Sequence, residues 1–412
     1  MGLRDRARQL FQTACRAADP GIALSRALQS HPLPVPDPGG KLRVVAIGKA
    51  AVPMAEALLP KLDAPYEALV VTNYENARPV AGAIVNAAGH PVPDENGEMA
   101  AIAVEALLLN ARPADRVIAL ISGGGSALLP APVAGVTLAE KAEVSRLLLG
   151  AGVDISQLNL VRQGLSRLKG GGLLQAARPA PVTAYILSDV IGDDLRVIAS
   201  GLTVAPVGSR DDARNVLEGL NLFSQLPESV RAVLTRPEPT LPPVQATNVL
   251  IGSNRKSLEA VVAAAGAGAH IVSDALTGDV ADAAAQIIRA AQQNDTGTLV
   301  FGGETTVVLR GNGLGGRNQE LALRVAMGMP DLGRDWAFLS GGTDGRDGPT
   351  EAAGGLVDAG TVGRIRASGG DPVALLANND SNRALELAGD LLVTGATGTN
   401  VADVQILLLG SR

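Results

Sequence analysis

Two periodicities alternate along the chain. Short apolar runs rich in Val, Ile and Leu recur at 42–48 (LRVVAIG), 68–73 (ALVVTN), 83–88 (AIVNAA), 116–124 (RVIALISGG) and 181–190 (PVTAYILSDV). Each is bounded by glycine, proline or polar residues and reads as a buried strand. Between them, apolar residues return at helical spacing in 50–62, 94–110, 137–152 and 155–169, with Asp94 placed to cap the second of these helices. Continuous apolar strands separated by helices predict a parallel sheet covered on both faces. The stretch TRPEPTLPPVQATN (235–248) has no apolar period and reads as a linker or crossover. Beyond it the alternation resumes. NVLIGS (248–253), HIVSDAL (270–276), TLVFGGETTVVL (298–309) and WAFLSGG (336–342) are predicted strands. VADAAAQIIRAAQQ (280–293) and NQELALRVAMG (318–328) are predicted helices. The pattern divides the 412 residues into two α/β domains, 1–240 and 241–412.

Composition narrows the function classes. Aromatic residues are only 2%, so the core is built from Ala, Val, Leu and Ile. Glycine is roughly one residue in eight, against ~7% in ordinary chains, and marks turns where backbone comes close to something. The single cysteine, Cys15, excludes an intramolecular disulfide and a cysteine zinc cluster. His31, His90 and His270 lack metal-ligand spacing, and His90 reads as a structural loop histidine after a strand. Residues 1–240 carry 23 basic and 23 acidic groups and the remainder 12 and 18, with no basic tract, so no nucleic-acid partner is expected. No apolar run approaches the ~18 residues a spanning helix needs, so no membrane partner is expected either. The first nineteen residues read as a surface helix, not a signal peptide, and a cytoplasmic protein is expected.

Gly311, Gly313 and Gly316 in VVLRGNGLGGRNQE (307–320) spell G-x-G-x-x-G after a β-branched run. In a dinucleotide-binding unit, the ribose-binding acid ends the second strand about 20 residues on. Asp335 has that spacing but precedes its strand, at the wrong end of the sheet. The alternative is a glycine turn that directs free helix N–H groups at an anion, with Arg317 adding a planar fork.

Four more strands end in the same format. IGKA offers Lys49, ISGGGSALL offers Ser122 to Ser126, LSDVIGDDL offers Asp189, Asp193 and Asp194, and LSGGTDGRDGPT offers Thr343, Asp344, Arg346 and Asp347. Ligands of open α/β sheets collect beyond the carboxyl ends of strands. Lysine, arginine and several aspartates among glycines match phosphoryl transfer: cations neutralise phosphate, aspartate holds Mg²⁺ or takes a hydroxyl proton, and glycine amides cradle anions. The alternatives are a solvated Lys49, a ligand-free SGGGSA turn, Asp194 as a mere cap and Asp347 bonded to its own turn. No Walker motif is present.

The stretches LSRLKGGGLL, LSDVIGDDLRVIASGLT, FGGETTVVLRGNGLGGRNQELAL, GGTDGRDGPTEAAGG and LLVTGATGTNVAD, with GKA and ISGGGSALL, resemble the glycerate 2-kinases that carry a MOFRL C-terminal domain. The match runs over nearly the whole chain. It implies a Rossmann-like N-terminal domain, a smaller α/β MOFRL domain and an active site in the cleft between them. It also implies ATP-dependent, Mg²⁺-assisted phosphorylation of D-glycerate to 2-phospho-D-glycerate. The family's basic residues fall on Lys49 and Arg317, and its strand-end aspartate on Asp189. Within the matching motifs, Ser122, Gly123, Gly124, Gly125, Ser126 and Lys169 are candidates for binding substrate or nucleotide. Glu304, Gly316, Asn318, Thr343 and Asp344 join them from the second half. The resemblance departs at Leu202, where the family has Pro, at Leu314, where it has Lys, and at Gly341 and Gly342, where small Ala is usual.

These readings assign glycerate's carboxylate to Arg317 and the transferring phosphoryl charge to Lys49. Asp189 orients or deprotonates the 2-hydroxyl, or else holds the metal with Asp193 and Asp344. The protein is expected to act on a small molecule as a monomer or homodimer. Two rivals remain: a nicotinamide-dependent hydroxypyruvate reductase, which would use G-x-G-x-x-G, and a non-catalytic binder of phosphorylated acids.

Overall fold

The computed structural model describes residues 1–237 and 244–411. The boundary expected at residue 240, with the middle of the proline-rich stretch, lies outside the described residues. The chain forms two compact units that are not continuous in sequence. The first comprises Ala23–Ser188 and Asp193–Ile251, and the second Met1–Ile22, Asp189–Gly192 and Gly252–Arg412. A single cut near 240 therefore departs from this division in three places: the N-terminal helix and the short segment from Asp189 belong with the second unit, and the chain up to Ile251 belongs with the first.

The first unit is built on β1 (Leu42–Ile47), β2 (Tyr66–Asn73), β3 (Ile84–Ala88), β4 (Arg116–Ile121), β5 (Val182–Leu187) and β6 (Ala246–Gly252). They lie in the order β3-β2-β1-β4-β5-β6. The pairs β1–β2, β1–β4, β2–β3 and β4–β5 are parallel. That is the doubly wound Rossmann order, and β1 and β4 flank its switch point. Every residue of β1 is buried, as expected of a strand with both faces covered, and its one charge, Arg43, is paired with the buried Asp115 (3.0 Å). The helix expected over 155–169 stops at Gly164. Gly170 and Gly171 then take positive φ (+56° and +83°), and the turn they form carries Lys169 inward, where it is buried.

The second unit holds β7 (Ala269–Asp279), β8 (Gly297–Thr306), β9 (Trp336–Gly342), β10 (Gly354–Asp358), β11 (Leu391–Leu392) and β12 (Asp403–Leu409). Their order is β11-β10-β9-β12-β8-β7. Only β7–β8 is parallel among the described pairs; β8–β12, β12–β9, β9–β10 and β10–β11 are antiparallel. β10, GGLVD, is too short and glycine-rich to stand out from the sequence. The N-terminal helix Leu3–Ala17 is more than a surface helix. Ala7, Leu10, Phe11 and Ala14 are buried against Val300, Leu339, Leu356 and Ile406 of this sheet. Arg4 ties the helix down by pairing with Asp358 (2.6 Å) and Asp390 (2.7 Å). Gly341 leaves room for the Phe11 ring, whose Cζ would lie 2.9 Å from a Cβ at that position. Among the described residues, no helix is long and apolar enough to cross a membrane.

Candidate active-site residues in two units

At the switch point of the first unit, β1 runs into Gly48 and Lys49, and β4 into Ser122–Ser126. The two endings are laced together. Ser122 N donates to Ile47 O (2.9 Å), Lys49 N to Gly123 O (2.9 Å), and Ala50 N to the Ser122 hydroxyl (3.0 Å). Gly48 sits at φ +121°, and a Cβ there would lie 2.3 Å from Ser122 Oγ, so no other residue permits this approach. A Cβ on Gly124 would lie 3.1 Å from Lys49 Cγ and 3.2 Å from His90 Cδ2. Lys49 and His90 thus flank the glycine turn. The Lys49 ammonium has no hydrogen bond or ion pair among the described residues. Burial, then the positive charge of Lys49, lowers the pKa of His90 below its ordinary 6.5, so the imidazole is neutral at pH 7.

Behind the turn lies a polar brace. Lys169 Nζ donates to Ser126 O (2.7 Å) and Oγ (3.1 Å). Ser126 Oγ meets Ser200 Oγ at 2.8 Å, and Ser200 Oγ donates to Asn159 Oδ1 (3.0 Å). Ala199 and Ser200 are left-handed at φ +49° and +57°, a conformation that costs about 1–3 kcal/mol and survives only where neighbours impose it. The Gln163 amide, donating to Ser200 O at 3.1 Å, supplies part of that constraint. Asp193 is also left-handed (φ +55°), and its Oδ1 is buried without a partner. Asp194 is taken up by Arg196 (3.0 and 2.7 Å), which leaves it the local role expected.

In the second unit Arg317 opens the helix Arg317–Gly328. Its Nε and Nη2 form a fork with Asp403 (2.6 and 3.0 Å), and Nη1 reaches Glu304 at 3.1 Å. Burial opposes the charge on Arg317, but the bidentate bond to Asp403 outweighs it and raises its pKa further. Asp403 is wholly buried; burial raises its pKa to about 6 against the pull of Arg317. Two of the helix N–H groups expected to be free at this turn are not. Asn318 N (3.1 Å) and Gln319 N (2.8 Å) donate to the Asp347 carboxylate. Asp347 caps this helix across 28 residues instead of bonding only its own turn. The preceding loop is equally engaged. Arg310 N and Gly311 N donate to Asn379 Oδ1, Asn312 N and Gly313 N to Asn378, and Leu314 N to Asp380 Oδ1. The amides of residues 310–314 therefore offer no cradle to a pyrophosphate.

Other candidates are also claimed by the fold. The Thr343 hydroxyl donates to Ala402 O (2.7 Å) and accepts from Val401 N (2.9 Å) inside the core, so it faces no ligand. Asn318 is buried, its Oδ1 accepting from Ser340 Oγ (2.6 Å). Gly316 is the N-cap of the arginine's helix, with Asp347 2.3 Å from where a Cβ would sit. Asp344 is exposed and holds its own turn through Arg346 N (3.0 Å). Asp189, Asp193 and Asp344 do not form a metal cage: no group of three or more His, Cys, Asp or Glu is placed to hold an ion among the described residues. Asp403 and Asp347 were missed as partners of Arg317 and its helix. Asp403 closes the quoted motif LLVTGATGTNVAD as its only acid, which was the available signal.

A model described as a domain of unknown function, DUF4147, matches residues 6–235, and one described as the MOFRL family matches residues 297–403. A D-glycerate 2-kinase of Thermotoga maritima is 40% identical over 382 residues, 89% of this chain and 90% of its own. A protein of Agrobacterium vitis whose name proposes a hydroxypyruvate reductase is 39% identical over 421 residues, 98% of this chain and 94% of its own. The crystal structure of a glycerate kinase from Thermotoga maritima superposes with a TM-score of 0.91 at 36% identity, covering 99% of each chain.

Proposed function

The chain belongs to the DUF4147–MOFRL family, and we propose that it is a kinase that moves the terminal phosphoryl group of ATP to the 2-hydroxyl of D-glycerate. The observation that carries this reading is Lys49: an ammonium at the sheet's switch point, beside a glycine turn, with no protein partner among the described residues. A cation left unpaired there suits a ligand that brings phosphate charge. Arg317, held in one orientation by Asp403, receives the glycerate carboxylate at its remaining edge, which it shares with the half-exposed Glu304. Asp189, two residues past β5, takes the proton of the 2-hydroxyl as that oxygen bonds to the γ-phosphorus. The bond from the γ-phosphorus to the β,γ-bridging oxygen breaks, and ADP leaves with the electron pair.

The unpartnered, buried Oδ1 of Asp193 fits a cation, so Asp193 would hold Mg²⁺ together with the nucleotide's own phosphates. When bound, the ion neutralises charge on those phosphates. On the same reading the enzyme is cytoplasmic, acts on free metabolites and works as a monomer or homodimer.

The reductase reading takes its support from the names of two Agrobacterium vitis relatives. The amides of the 310–314 loop, bonded to residues 378–380, argue against it. Side-by-side assays separate the two. ATP with D-glycerate should yield ADP and the 2-phosphate, identified by its phosphorus-coupled NMR signal. NADH with hydroxypyruvate should show no oxidation. Nicotinamide turnover without ADP formation would end the kinase reading.

A further inference from the structure

A pocket of about 410 Å³ opens in the first unit, beyond the ends of β3 and β4 and bordered by His90 and Gly124. Its walls are largely apolar: Pro91, Val92 and Pro93 after β3, and Leu138 and Leu149 on the helix Leu138–Gly150. Four cations line it as well: the exposed Arg146, paired with Glu143 (2.5 Å), and three set deeper, Lys141, Lys169 and Arg162. Lys141 and Lys169 are only 6% and 5% exposed. Lys141 Nζ donates to Pro130 O, Lys169 Nζ to Ser126, and Arg162 Nε to Ser145 Oγ at 3.3 Å. An ammonium has three donors, so these bonds leave at least one N–H on each lysine for a ligand. None of the three pairs with a carboxylate among the described residues. Burial lowers the pKa of Lys141 well below the lysine range, and the neighbouring cations add to this. Burial and then Arg162 bring Lys169 down to about 7.

Burial without a counter-charge penalises the charged form of these side chains, a penalty that an anionic ligand offsets. A three-carbon hydroxy acid has little apolar surface to set against these walls, and the pocket is of the size that encloses a larger ligand. A nucleoside polyphosphate has both a flat apolar base and a string of anionic oxygens. The pocket's border at Gly124 and His90 is also where Lys49 lies.

We infer that this pocket seats the nucleotide, its base against Pro91–Pro93 and the Leu138–Leu149 helix face and its phosphates on Lys141, Lys169 and Arg162. The inference rests on the kinase reading for its choice of ligand.

Lys141→Met tests it, because the change keeps length and removes charge while Pro130 O retains the Ser166 hydroxyl (3.3 Å). Calorimetric titration with ADP, without glycerate, should show the dissociation constant rising about tenfold or more, the loss of one charge-assisted contact. The KM for ATP should rise with it, the KM for D-glycerate should stay within about twofold, and the ligand-free protein should melt no lower than wild type. Unchanged ADP affinity in the folded variant overturns the assignment. So does a rise in the glycerate KM alone, which would give the pocket to the acid. If Lys141→Met fails to fold, Arg162→Gln is judged by the same readings. Wild-type protein that binds ADP through Lys141 yet phosphorylates no glycerate would sink the preceding section and leave this pocket standing, so the two failures are distinguishable.

Discussion

The glycine turn of the first unit, Ser122–Ser126, and that of the second, Gly311–Arg317, look interchangeable as text. Both follow a strand, both bring glycines to a helix start, and both offer a cation. In the fold they are opposites. The first leaves Lys49 without a partner and borders a pocket where Lys141 and Lys169 lack counter-charges. The second is largely taken up by the protein's own groups: Asp347 on two helix amides, Asn378–Asp380 on the loop, and Asp403 on one edge of Arg317, so that only the other edge remains for a carboxylate. An anion site is therefore defined less by its donors than by whether the fold has already supplied the acceptors.

The sharpest way to break this contrast is at its cations. Lys49→Ala should lower kcat by about 10²–10³-fold, as for loss of one preorganised donor to developing charge. Arg317→Ala should act chiefly on the glycerate KM. Steady-state kinetics with each substrate varied would show it, and near-wild-type turnover in both variants would remove the mechanism.

Next in size is the cap. Asp347→Ala leaves two buried helix amides unsatisfied and should cost about 1–3 kcal/mol of stability, read as a lower urea midpoint. The same variant should leave ADP affinity unchanged. If it instead opened an anion site at the second turn, ADP affinity would rise.

The smallest effect expected is a pH dependence. Asp403 has its pKa raised to about 6 by burial, so it is mostly ionised at pH 7 and becomes protonated as pH falls through 6. Arg317 then loses its anionic partner, and kcat/KM for glycerate should decline below about pH 6. Stability moves the other way for this group. A carboxyl whose folded pKa lies above its unfolded value favours the fold most when protonated, and that contribution is lost as pH rises through about 6. Asp403→Asn should abolish this limb of the rate profile; a limb that persists belongs to another group.

Much of the architecture was legible in the sequence because it is set by local pattern. Apolar runs and helical spacing mark β1 to β5 and the long helices, since strand and helix each impose their own periodicity on neighbouring residues. The format of a strand ending in glycine and charge is a local one, and it is what drew Lys49, the SGGGSA turn and Arg317 out of the sequence. What the pattern could not reveal were the partners. Arg317 meets Asp403 86 residues later, Asp347 reaches back 28 residues to a helix start, and the N-terminal helix packs on a sheet that begins some 250 residues further on. Nothing in the sequence around Lys141 marks it out, and only the folded chain buries it near Lys169. Periodicity is a property of adjacent residues and survives in a string of letters. Whether a charge or an amide is satisfied depends on atoms brought together from distant segments, and that is decided only when the chain has closed on itself.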